Sequence, residues 1–378
     1  MMESIQAAVD SYDAQAALDH AWTIPASWYV DPRIAELERR AVFSRNWVVV
    51  GRADQVADPG QYLTAEVAGE PILVVRGEDR ALRGFFNVCR HHAAAVMTEA
   101  CGKTHLLRCP YHGWTYSLEG ELKGTPDFAG VCGFEKERNG LEPLAARVWE
   151  NFVWVRLAKE GPTLEDYLGA DLIGQFAPLH LSKLHFFERR HYSIDCNWKV
   201  FVDNYLDGGY HVPHLHKGLN SVLDYSQYTI ENGERYCLQS SPLVTKGAER
   251  ETGEVRKGGR ALYYWIHPNF MVNLYEGVMD TNLVLPVSVD RTEVIFDFYF
   301  TDVSAEAAPQ NRASIEVGNR IQEEDLGICK SVQRGLTSRA YVAGRLSVRR
   351  EAGEHLFHRL LAADLKAGLG AAGAPGSR

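Results

Sequence analysis

Short apolar runs separated by turn residues dominate the chain from about Trp47 to Val155. The runs NWVVVG, EPILVVRG, LRGFFNV and NFVWVRL are rich in Val, Phe and Trp and lie close to glycines. Runs of this composition bounded by turn residues are typical of β-strands joined by hairpins. The pattern predicts an all-β module over residues 46–160. Residues 1–45 end in the helical pattern PRIAELERRAVFSR, and we expect this helical segment to pack on that module.

A different pattern, in which helical and strand-like segments follow one another, begins after Gly161. TLEDYLGADL, NWKVFVDNYLDGGYH and SIEVGNRIQEEDLGICKSVQRGL have helical spacing, whereas ALYYWIHPNFMVNLY, DTNLVLPVSV and TEVIFDFYF are strand-like. Strands followed by a terminal helix favour an antiparallel sheet covered by helices, an α+β domain. We expect this domain over residues 161–366, followed by a flexible tail of small residues over 367–378.

Composition and charge narrow the class of protein. The 378 residues are 46% hydrophobic and 24% charged, and the formal net charge of -9 argues against a nucleic-acid-binding surface. The sequence contains no run of about 18 apolar residues, so no membrane-spanning helix is expected. The N-terminus, MMESIQAAVDSYDAQ, lacks an apolar signal core, and seven scattered cysteines do not suggest a disulfide framework. We therefore expect a soluble protein of the reducing cytoplasm.

Two short motifs carry metal-ligand side chains in the β module. One residue separates Cys89 from His91, and after seventeen further residues Cys109 and His112 follow in the motif CPYH. Two thiolates and two imidazoles can hold one zinc ion, or can divide over the two irons of a Rieske cluster. A Cys–x–His pair is unusual for zinc fingers, so the spacing favours the cluster and leaves structural zinc as the alternative. Three nearby side chains are not expected to be ligands: His92, Cys101 and His105.

A second candidate metal site lies in NWKVFVDNYLDGGYHVPHLH, residues 197–216. If residues 198–210 form a helix, Asp203, Asp207 and His211 are spaced by four and share one face.

The histidines of this segment can converge only if the chain turns after His211. Pro213 is expected to break the helix, so that the chain brings His216 back towards His211. His214 offers a competing imidazole.

A carboxylate on the predicted helix IQEEDLGICKSV supplies a third ligand. Asp325 lies within an apolar stripe at helical spacing that also contains Ile321, Ile328 and Val332. A buried carboxylate without a partner is costly, so a cation or strong hydrogen-bond donors should meet it. Two histidines and one carboxylate form the facial triad of non-haem Fe(II) oxygenases. A salt-bridged Asp325 and ordinary histidines are the alternatives, which the Rieske-type motif in the same chain disfavours.

These segments resemble the catalytic (alpha) subunits of Rieske non-haem iron oxygenases. NVCRHHAAAV and CPYHGWTYSLEGEL resemble the Rieske loops of the ring-hydroxylating members. NWKVFVDNYLDGGYHVPHLHKGL, HPNFMVNLY, MDTNLVLPV and EEDLGICKSVQRGL are more similar to choline monooxygenase and its glycine betaine and carnitine relatives. The resemblance extends from about Trp22 to the C-terminal helix. It implies a Rieske domain beside a helix-grip catalytic domain, usually in a homotrimer, with electrons from a separate NAD(P)H-dependent flavin or iron–sulfur reductase.

The resemblance also implies roles for individual residues. The [2Fe–2S] cluster would be held by Cys89, His91, Cys109 and His112. The mononuclear Fe(II) would be held by His211, His216 and Asp325. Asp207 would connect the iron site of one subunit to the cluster of its neighbour, although it precedes His211 by four residues where many ring-hydroxylating members have three.

The implied reaction is O₂-dependent hydroxylation of a small substrate. Oxidation of choline at the alcohol carbon gives a hydrate that becomes betaine aldehyde, and oxidation of a betaine N-methyl group gives a hemiaminal that sheds formaldehyde. Cation–π contacts of about 0.5–2 kcal/mol each would favour an aromatic pocket for a quaternary ammonium. The candidate pocket residues are Tyr205, Tyr210, Trp265 and Phe270, with Tyr263, Tyr264 and Tyr275 also available. The alternatives are an oxygenase acting on an aromatic substrate and a zinc-stabilised binding protein without redox chemistry.

Overall fold

A computed structural model describes residues 4–244 and 248–372 of the chain. The contacts divide the chain into two units. The first, Phe43–Tyr167, contains the β module, and the second combines the residues up to Val42 with those from Leu168 onward. These divisions fall after residues 42 and 167, and the domain boundaries expected after residues 45 and 160 stay predictions.

Three short helices open the chain: α1 (Ile5–Asp10), α2 (Ala26–Val30) and α3 (Pro32–Glu38). Asp31 caps α3, because its carboxylate accepts the amide of Arg33 at 2.8 Å. At the other end of α3, Glu38 is 2% exposed and accepts hydrogen bonds from Lys199 Nζ at 2.7 Å and Trp198 Nε1 at 2.9 Å. The segment groups with the catalytic helices in one unit, and its packing on the β module stays a prediction.

The β module consists of a large and a small antiparallel sheet. Its strands are β1 (Val48–Arg52), β2 (Gln61–Val67), β3 (Glu70–Arg76), β4 (Leu82–Phe86), β5 (Cys101–Lys103), β6 (Leu107–Arg108), β7 (Thr115–Tyr116), β8 (Leu122–Gly124), β9 (Pro143–Trp149) and β10 (Phe152–Arg156). The large sheet has the order β1-β10-β9-β4-β3-β2-β5, and the small sheet the order β6-β7-β8. The four apolar runs that predicted the module are β1, β3, β4 and β10, so this part of the fold prediction is confirmed.

The second unit is a seven-stranded antiparallel sheet covered by helices, as the α+β class requires. From α4 onward its elements are α4 (Leu164–Phe176), β11 (His185–Ile194), α5 (Trp198–Leu206), α6 (Val212–Leu215), α7 (Lys217–Val222), β12 (Thr229–Asn232), β13 (Tyr236–Pro242), α8 (Arg250–Val255), β14 (Arg260–Ile266), β15 (Phe270–Tyr275), β16 (Val278–Ser288), β17 (Arg291–Phe300), α9 (Ala308–Leu336) and α10 (Ala352–Ala372). The strand order is β11-β17-β16-β15-β14-β13-β12.

The C-terminal helix extends into the segment expected to be a tail. α10 continues to Ala372, because alanine favours helix and Gly368 lies directly against Ala41, where an added Cβ would stand 2.4 Å from the Cβ of that alanine. The tail predicted for residues 373–378 lies outside the described residues. Among the residues that are described, no helix is both long enough and apolar enough to cross a bilayer.

Replacing Glu38 with alanine is expected to lower the free energy of unfolding by about 3–5 kcal/mol, because Lys199 would remain buried without its partner. Lys199 is 0% exposed, and burial lowers its pKa while the Glu38 carboxylate opposes that shift. Urea unfolding followed by circular dichroism measures the change. Glu36, whose side chain is 53% exposed on the same helix, is the matched control, and its replacement should cost far less. A similar cost for both variants would contradict this role of the buried pair.

Candidate active site and metal centres

Two loops of the β module place Cys89 and Cys109 in its core. In each loop the cysteine amide donates to the carbonyl of the fifth residue after it, at 2.8 and 2.9 Å. The fourth residue after each cysteine has a left-handed backbone, with φ of 61° at Ala93 and 71° at Gly113. The two motifs CRHHAA and CPYHGW therefore fold into matched turns despite their different sequences, and both turns present side chains to the same core.

The sulfur and nitrogen atoms of these loops form a donor set. The two cysteines are 3% and 1% exposed, and the rings of His91 and His112 lie 4.6 Å apart between centroids. Burial raises the pKa of the Cys109 thiol, and the neighbouring Cys89 acts in the same direction. His91 Nδ1 is buried and has no hydrogen-bond partner in the described part of the chain. A buried ring nitrogen without a hydrogen-bond partner is available to bind a metal.

Aromatic and hydroxyl groups surround the donor set on its buried side. Trp114 stacks on the His91 ring at 4.6 Å between centroids, and the Tyr116 hydroxyl lies 3.3 Å from Cys89 Sγ. On the other side His112 is exposed, and Tyr111 beside it is 65% exposed. The donor set is therefore shielded on one side and accessible on the other, which suits exchange of electrons with a partner.

The three side chains excluded as ligands lie at the surface. Cys101 is exposed on β5, and His105 is 87% exposed with its nearest carboxylate on Glu78. His92 is also exposed, although its ring lies 4.0 Å from that of His91.

His211, His216 and Asp325 converge in the second unit. Their ligand atoms all lie within 4.8 Å of one another. Asp325 Oδ1 is 3.0 Å from His216 Nε2 and 3.8 Å from His211 Nε2, and the two rings are inclined at 79°. The group supplies two imidazoles and one carboxylate, which are the donors of a facial triad. The cavity beside it leaves one side of the group open, as a facial triad does.

The turn that presents the histidines differs from the predicted helix. The expectation of a helix through residues 198–210 is wrong, because α5 ends at Leu206. The two glycines after Asp207 both have φ of 67°, and the Asp207 carboxylate accepts the amides of Tyr210 and His211 at 3.1 and 3.0 Å. Asp207 thus meets His211 through a turn and not along a helix face.

The roles of Pro213 and His214 in the next segment also differ from the prediction. Pro213 lies in the first turn of α6, where a proline is favoured, so it begins a helix instead of ending one. His214 is exposed on α6 and does not belong to the converging group, whereas His216 is 1% exposed between α6 and α7.

The apolar stripe expected around Asp325 is buried at only one end. Ile321 lines the cavity on α9, but Ile328 and Val332 are 40% and 44% exposed. Asp325 itself is 9% exposed, so the predicted burial of this carboxylate is confirmed.

A carboxylate holds each imidazole by its other ring nitrogen. His211 Nδ1 lies 2.5 Å from Asp207 Oδ2, and His216 Nδ1 lies 2.6 Å from Glu324 Oε2. Burial acts to lower the pKa of His216, but Asp325 and Glu324 outweigh it and raise that pKa. Both Nε2 atoms are therefore oriented towards Asp325, as in metal sites whose histidines donate to an outer carboxylate. The adjacent carboxylates in QEED are the sequence signal for the role of Glu324.

Replacing Glu324 with glutamine is expected to weaken iron binding by about 10–100-fold, because the His216 ring loses the carboxylate that orients it. Competition with a chelator of known affinity measures the change. Glu323→Gln is the matched control, since Glu323 is exposed and accepts a hydrogen bond from Asn319 at 3.0 Å. Equal iron affinity in the two variants would contradict the positioning role.

A cavity of about 130 Å³ adjoins the three converging residues. Its aromatic lining consists of Phe201, Tyr205, Tyr228, Tyr263, Tyr275 and Phe296. Its polar lining includes Asn204, Gln239, Arg256, Asn273, Asp280, Asn282 and Gln322. Apart from the triad, the wall therefore offers aromatic faces, amides and one buried group of each charge.

The structure places one of the four predicted pocket residues at this cavity. Tyr205 lines it, whereas Tyr210 is 49% exposed outside the lining. Trp265 lies two residues beyond Tyr263 on the same face of β14, where Phe357 of α10 covers it at 5.5 Å between ring centroids. The fourth predicted residue, Phe270, is 2% exposed at the far end of β15.

A second group of potential ligands lacks the outer hydrogen bonds that the first group has. Ligand atoms of Asp203, Glu354 and His358 also lie within 4.8 Å of one another. His358 Nε2 is 3.0 Å from Asp203, but its Nδ1 is buried with no hydrogen-bond partner among the described residues. Because a metal-bound imidazole normally donates from its other nitrogen, this group fits a buried proton-sharing cluster better than a metal site.

The chain matches two protein-family models. Residues 46–135 match the Rieske [2Fe-2S] domain, and residues 181–367 match the ring hydroxylating alpha subunit (catalytic domain). The chain is 38% identical to the chloroplastic choline monooxygenase of Arabidopsis thaliana over 97% of its own length and 88% of that protein. It is 31% identical to the carnitine monooxygenase oxygenase subunit of Escherichia coli strain K12, over 90% of this chain and 93% of that protein.

Solved structures of similar fold include a quaternary ammonium Rieske monooxygenase, described with reference to carnitine oxidation and inter-subunit electron transfer. It has a TM-score of 0.83 and 29% identity over 92% of this chain and 96% of that chain. A naphthalene 1,2-dioxygenase from Rhodococcus sp. bound to indole has a TM-score of 0.75 and 22% identity over 91% and 94%. At that identity the likeness concerns the fold alone.

Proposed function

Because the chain belongs to the family of Rieske non-haem iron oxygenase catalytic subunits that includes choline and carnitine monooxygenases, we propose that it hydroxylates a small quaternary ammonium compound. Members of this family carry a Rieske [2Fe–2S] cluster and a mononuclear iron. The observation that carries the substrate proposal is the aromatic cavity beside the triad, which contains the buried carboxylate of Asp280.

The two donor sets are assigned to the two metal centres. The cluster is held by Cys89, His91, Cys109 and His112. The iron is held by His211, His216 and Asp325. When bound, the cluster supplies electrons and the iron supplies the site of O₂ activation. Support comes from the free Nδ1 of His91 and from the carboxylate behind each triad histidine.

The residues around the triad hold its geometry. Asn204 donates to Asp325 Oδ1 at 2.9 Å, which restrains the carboxylate. Asp207 fixes the His211 ring and is proposed to be the link along which electrons arrive from the cluster of a neighbouring subunit. The likeness to a structure described in terms of inter-subunit electron transfer supports this role.

We propose a homotrimer for the assembled enzyme. Ile328 and Val332, within two turns of Asp325 on α9, are exposed apolar side chains that a neighbouring copy would cover. The electrons come from NAD(P)H through a separate flavin or iron–sulfur reductase. The seven free cysteines support a reducing compartment such as the cytoplasm.

The cavity suits a cationic head group. Burial raises the pKa of Tyr205, Tyr228 and Tyr263 well above the usual value, so their rings remain neutral phenols that face the cavity. Neutral aromatic faces attract a trimethylammonium group by about 0.5–2 kcal/mol per contact. The Asp280 carboxylate adds a charge of opposite sign to the ammonium group, whereas an arene would bring no charge that it could attract.

The reaction consumes one C–H bond, O₂, two electrons and two protons, and yields C–OH and water. At the alcohol carbon of choline the product is the hydrate of betaine aldehyde. At an N-methyl group the product is a hemiaminal that releases formaldehyde. An arene hydroxylation on the same architecture is the competing function.

Turnover with a surrogate reductase separates these functions. Iron-loaded protein is supplied with NADH, O₂ and a panel of quaternary amines and arenes, and products are identified by mass spectrometry. We expect at least one quaternary amine to stimulate O₂ uptake in step with its oxidation. Oxidation of an arene with every quaternary amine unchanged would replace the proposal with the competing function.

A further inference from the structure

Arg256 brings a guanidinium group into the wall of the cavity. It is 5% exposed at the end of α8, where Nη1 donates to Ser314 Oγ at 2.7 Å. Its Cζ lies 4.7 Å from the centroid of the Tyr275 ring. Its Nε is buried with no hydrogen-bond partner, and no described carboxylate lies within 4.0 Å of the group. A buried cation with a free donor is costly unless an anion meets it.

Asp280 faces the same cavity from β16 and is the nearest candidate for that anion. It is 6% exposed, and its Oδ2 accepts a hydrogen bond from Asn273 at 2.7 Å. Burial raises the pKa of Asp280, and the charge of Arg256 acts to lower it. The two groups therefore interact electrostatically without forming a direct ion pair. The cavity therefore presents one positive and one negative group at separate positions.

The helix α9 gives the distance between Arg256 and the triad. A Cβ added at Gly318 would stand 3.5 Å from Arg256 Nη2, and Asp325 lies seven residues further along the helix. At about 1.5 Å per residue, this corresponds to roughly 10 Å along the helix axis. A group bound by Arg256 is thus too far away to react, but it is within the reach of a short chain whose other end lies at the triad.

We infer that the substrate is a zwitterion, a trimethylammonium compound whose own carboxylate binds Arg256. The inference rests on the proposed function and narrows its substrate class. The ammonium group would lie among the tyrosines near Asp280, and the carboxylate would meet the Arg256 guanidinium in a charge-assisted hydrogen bond. A purely cationic compound such as choline gives Arg256 no anionic partner and is repelled by it. Arg256 is therefore a specificity residue and takes no part in the chemistry.

Matched ligands test the inference by calorimetry under anaerobic conditions. The probes are 4-(trimethylammonio)butanoate, its methyl ester, which has the same head group and chain but no anionic charge, and choline. The iron-loaded enzyme is expected to bind the acid about 10–100-fold more tightly than the ester or choline. Arg256→Met should remove this preference, and Arg256→Lys should retain part of it. Arg250→Met is the control, because Arg250 is 89% exposed on the same helix.

The outcomes separate this inference from the function on which it rests. If the wild-type enzyme binds ester or choline as tightly as the acid, yet oxidises a quaternary amine, the anion site is wrong and the proposed function stands. If no quaternary amine binds and an arene is oxidised, both are wrong. The comparison of acid with ester in the wild-type enzyme needs no variant, so it remains decisive even if Arg256→Met misfolds.

Discussion

Replacing Asp325 with alanine is expected to remove the mononuclear iron and abolish turnover while the visible spectrum of the cluster remains unchanged. The variant removes the one carboxylate of the triad, and the two imidazoles left behind are a weak set for Fe(II). The cluster ligands belong to the other unit. The iron content should therefore fall by about one third, to the two irons of the cluster.

Iron and sulfide analysis together with the absorption spectrum measure this outcome. Glu323→Ala is the matched control, because it removes an exposed carboxylate two residues away on α9. The control should keep all iron and full turnover. If Asp325→Ala retained the third iron, the ligand would have to be another carboxylate, and Glu324, at 2.6 Å from His216 Nδ1, would be the first to test.

Asp207→Asn is expected to keep both metal centres and to lower turnover by at least about 100-fold. The asparagine has nearly the same shape, and its remaining oxygen can still accept the amide of Tyr210. It replaces one carboxylate oxygen, which lies 2.5 Å from His211 Nδ1, with a group that cannot accept a proton or carry charge. Loss of an outer carboxylate alone costs about 10–100-fold. A larger loss is expected because Asp207 is also proposed to carry electrons between subunits.

The Glu324→Gln variant separates these two contributions, since Glu324 has the same relation to His216 that Asp207 has to His211. Stopped-flow spectroscopy follows reoxidation of the reduced cluster when substrate and O₂ are added to each variant. Slow reoxidation in Asp207→Asn with near-normal reoxidation in iron-loaded Glu324→Gln is the expected pattern. Equal rates in both variants would limit Asp207 to orienting its histidine.

The strands and the long helix could be predicted because their patterns are local. The apolar runs of β1, β3, β4 and β10 and the helical spacing of α9 depend on side chains only a few residues apart. The convergence of His211, His216 and Asp325 was also predictable, because two histidines and one carboxylate are the ligands that a non-haem Fe(II) ion takes. The path of the backbone that brings these side chains together was not predictable in detail. Helix α5 ends at Leu206 because the two glycines after Asp207 adopt left-handed φ, and the spacing of apolar residues does not indicate this conformation.

Tyr205, Tyr263 and Tyr275 were among the candidate aromatic residues and line the cavity. Which candidates would do so depended on packing between distant segments and could not be predicted. Tyr263 and Trp265 occupy the same face of one strand and look alike in the sequence, but only Trp265 is covered by Phe357, some ninety residues later in the chain. Arg256 follows a short helix of polar residues and resembles a surface arginine. Its burial results from its contact with Ser314 on α9, which the local sequence does not indicate.

The central claim, that this chain oxidises a quaternary ammonium compound with its own two metal centres, is tested most directly by a single turnover without any reductase. The iron-loaded protein is reduced chemically, freed of excess reductant and mixed with O₂ and one substrate at a time. The expected result is an oxidised quaternary amine, at no more than about one equivalent per iron site, formed as the cluster is reoxidised. Reoxidation of the cluster with every quaternary amine intact, while an arene is hydroxylated, would contradict the claim.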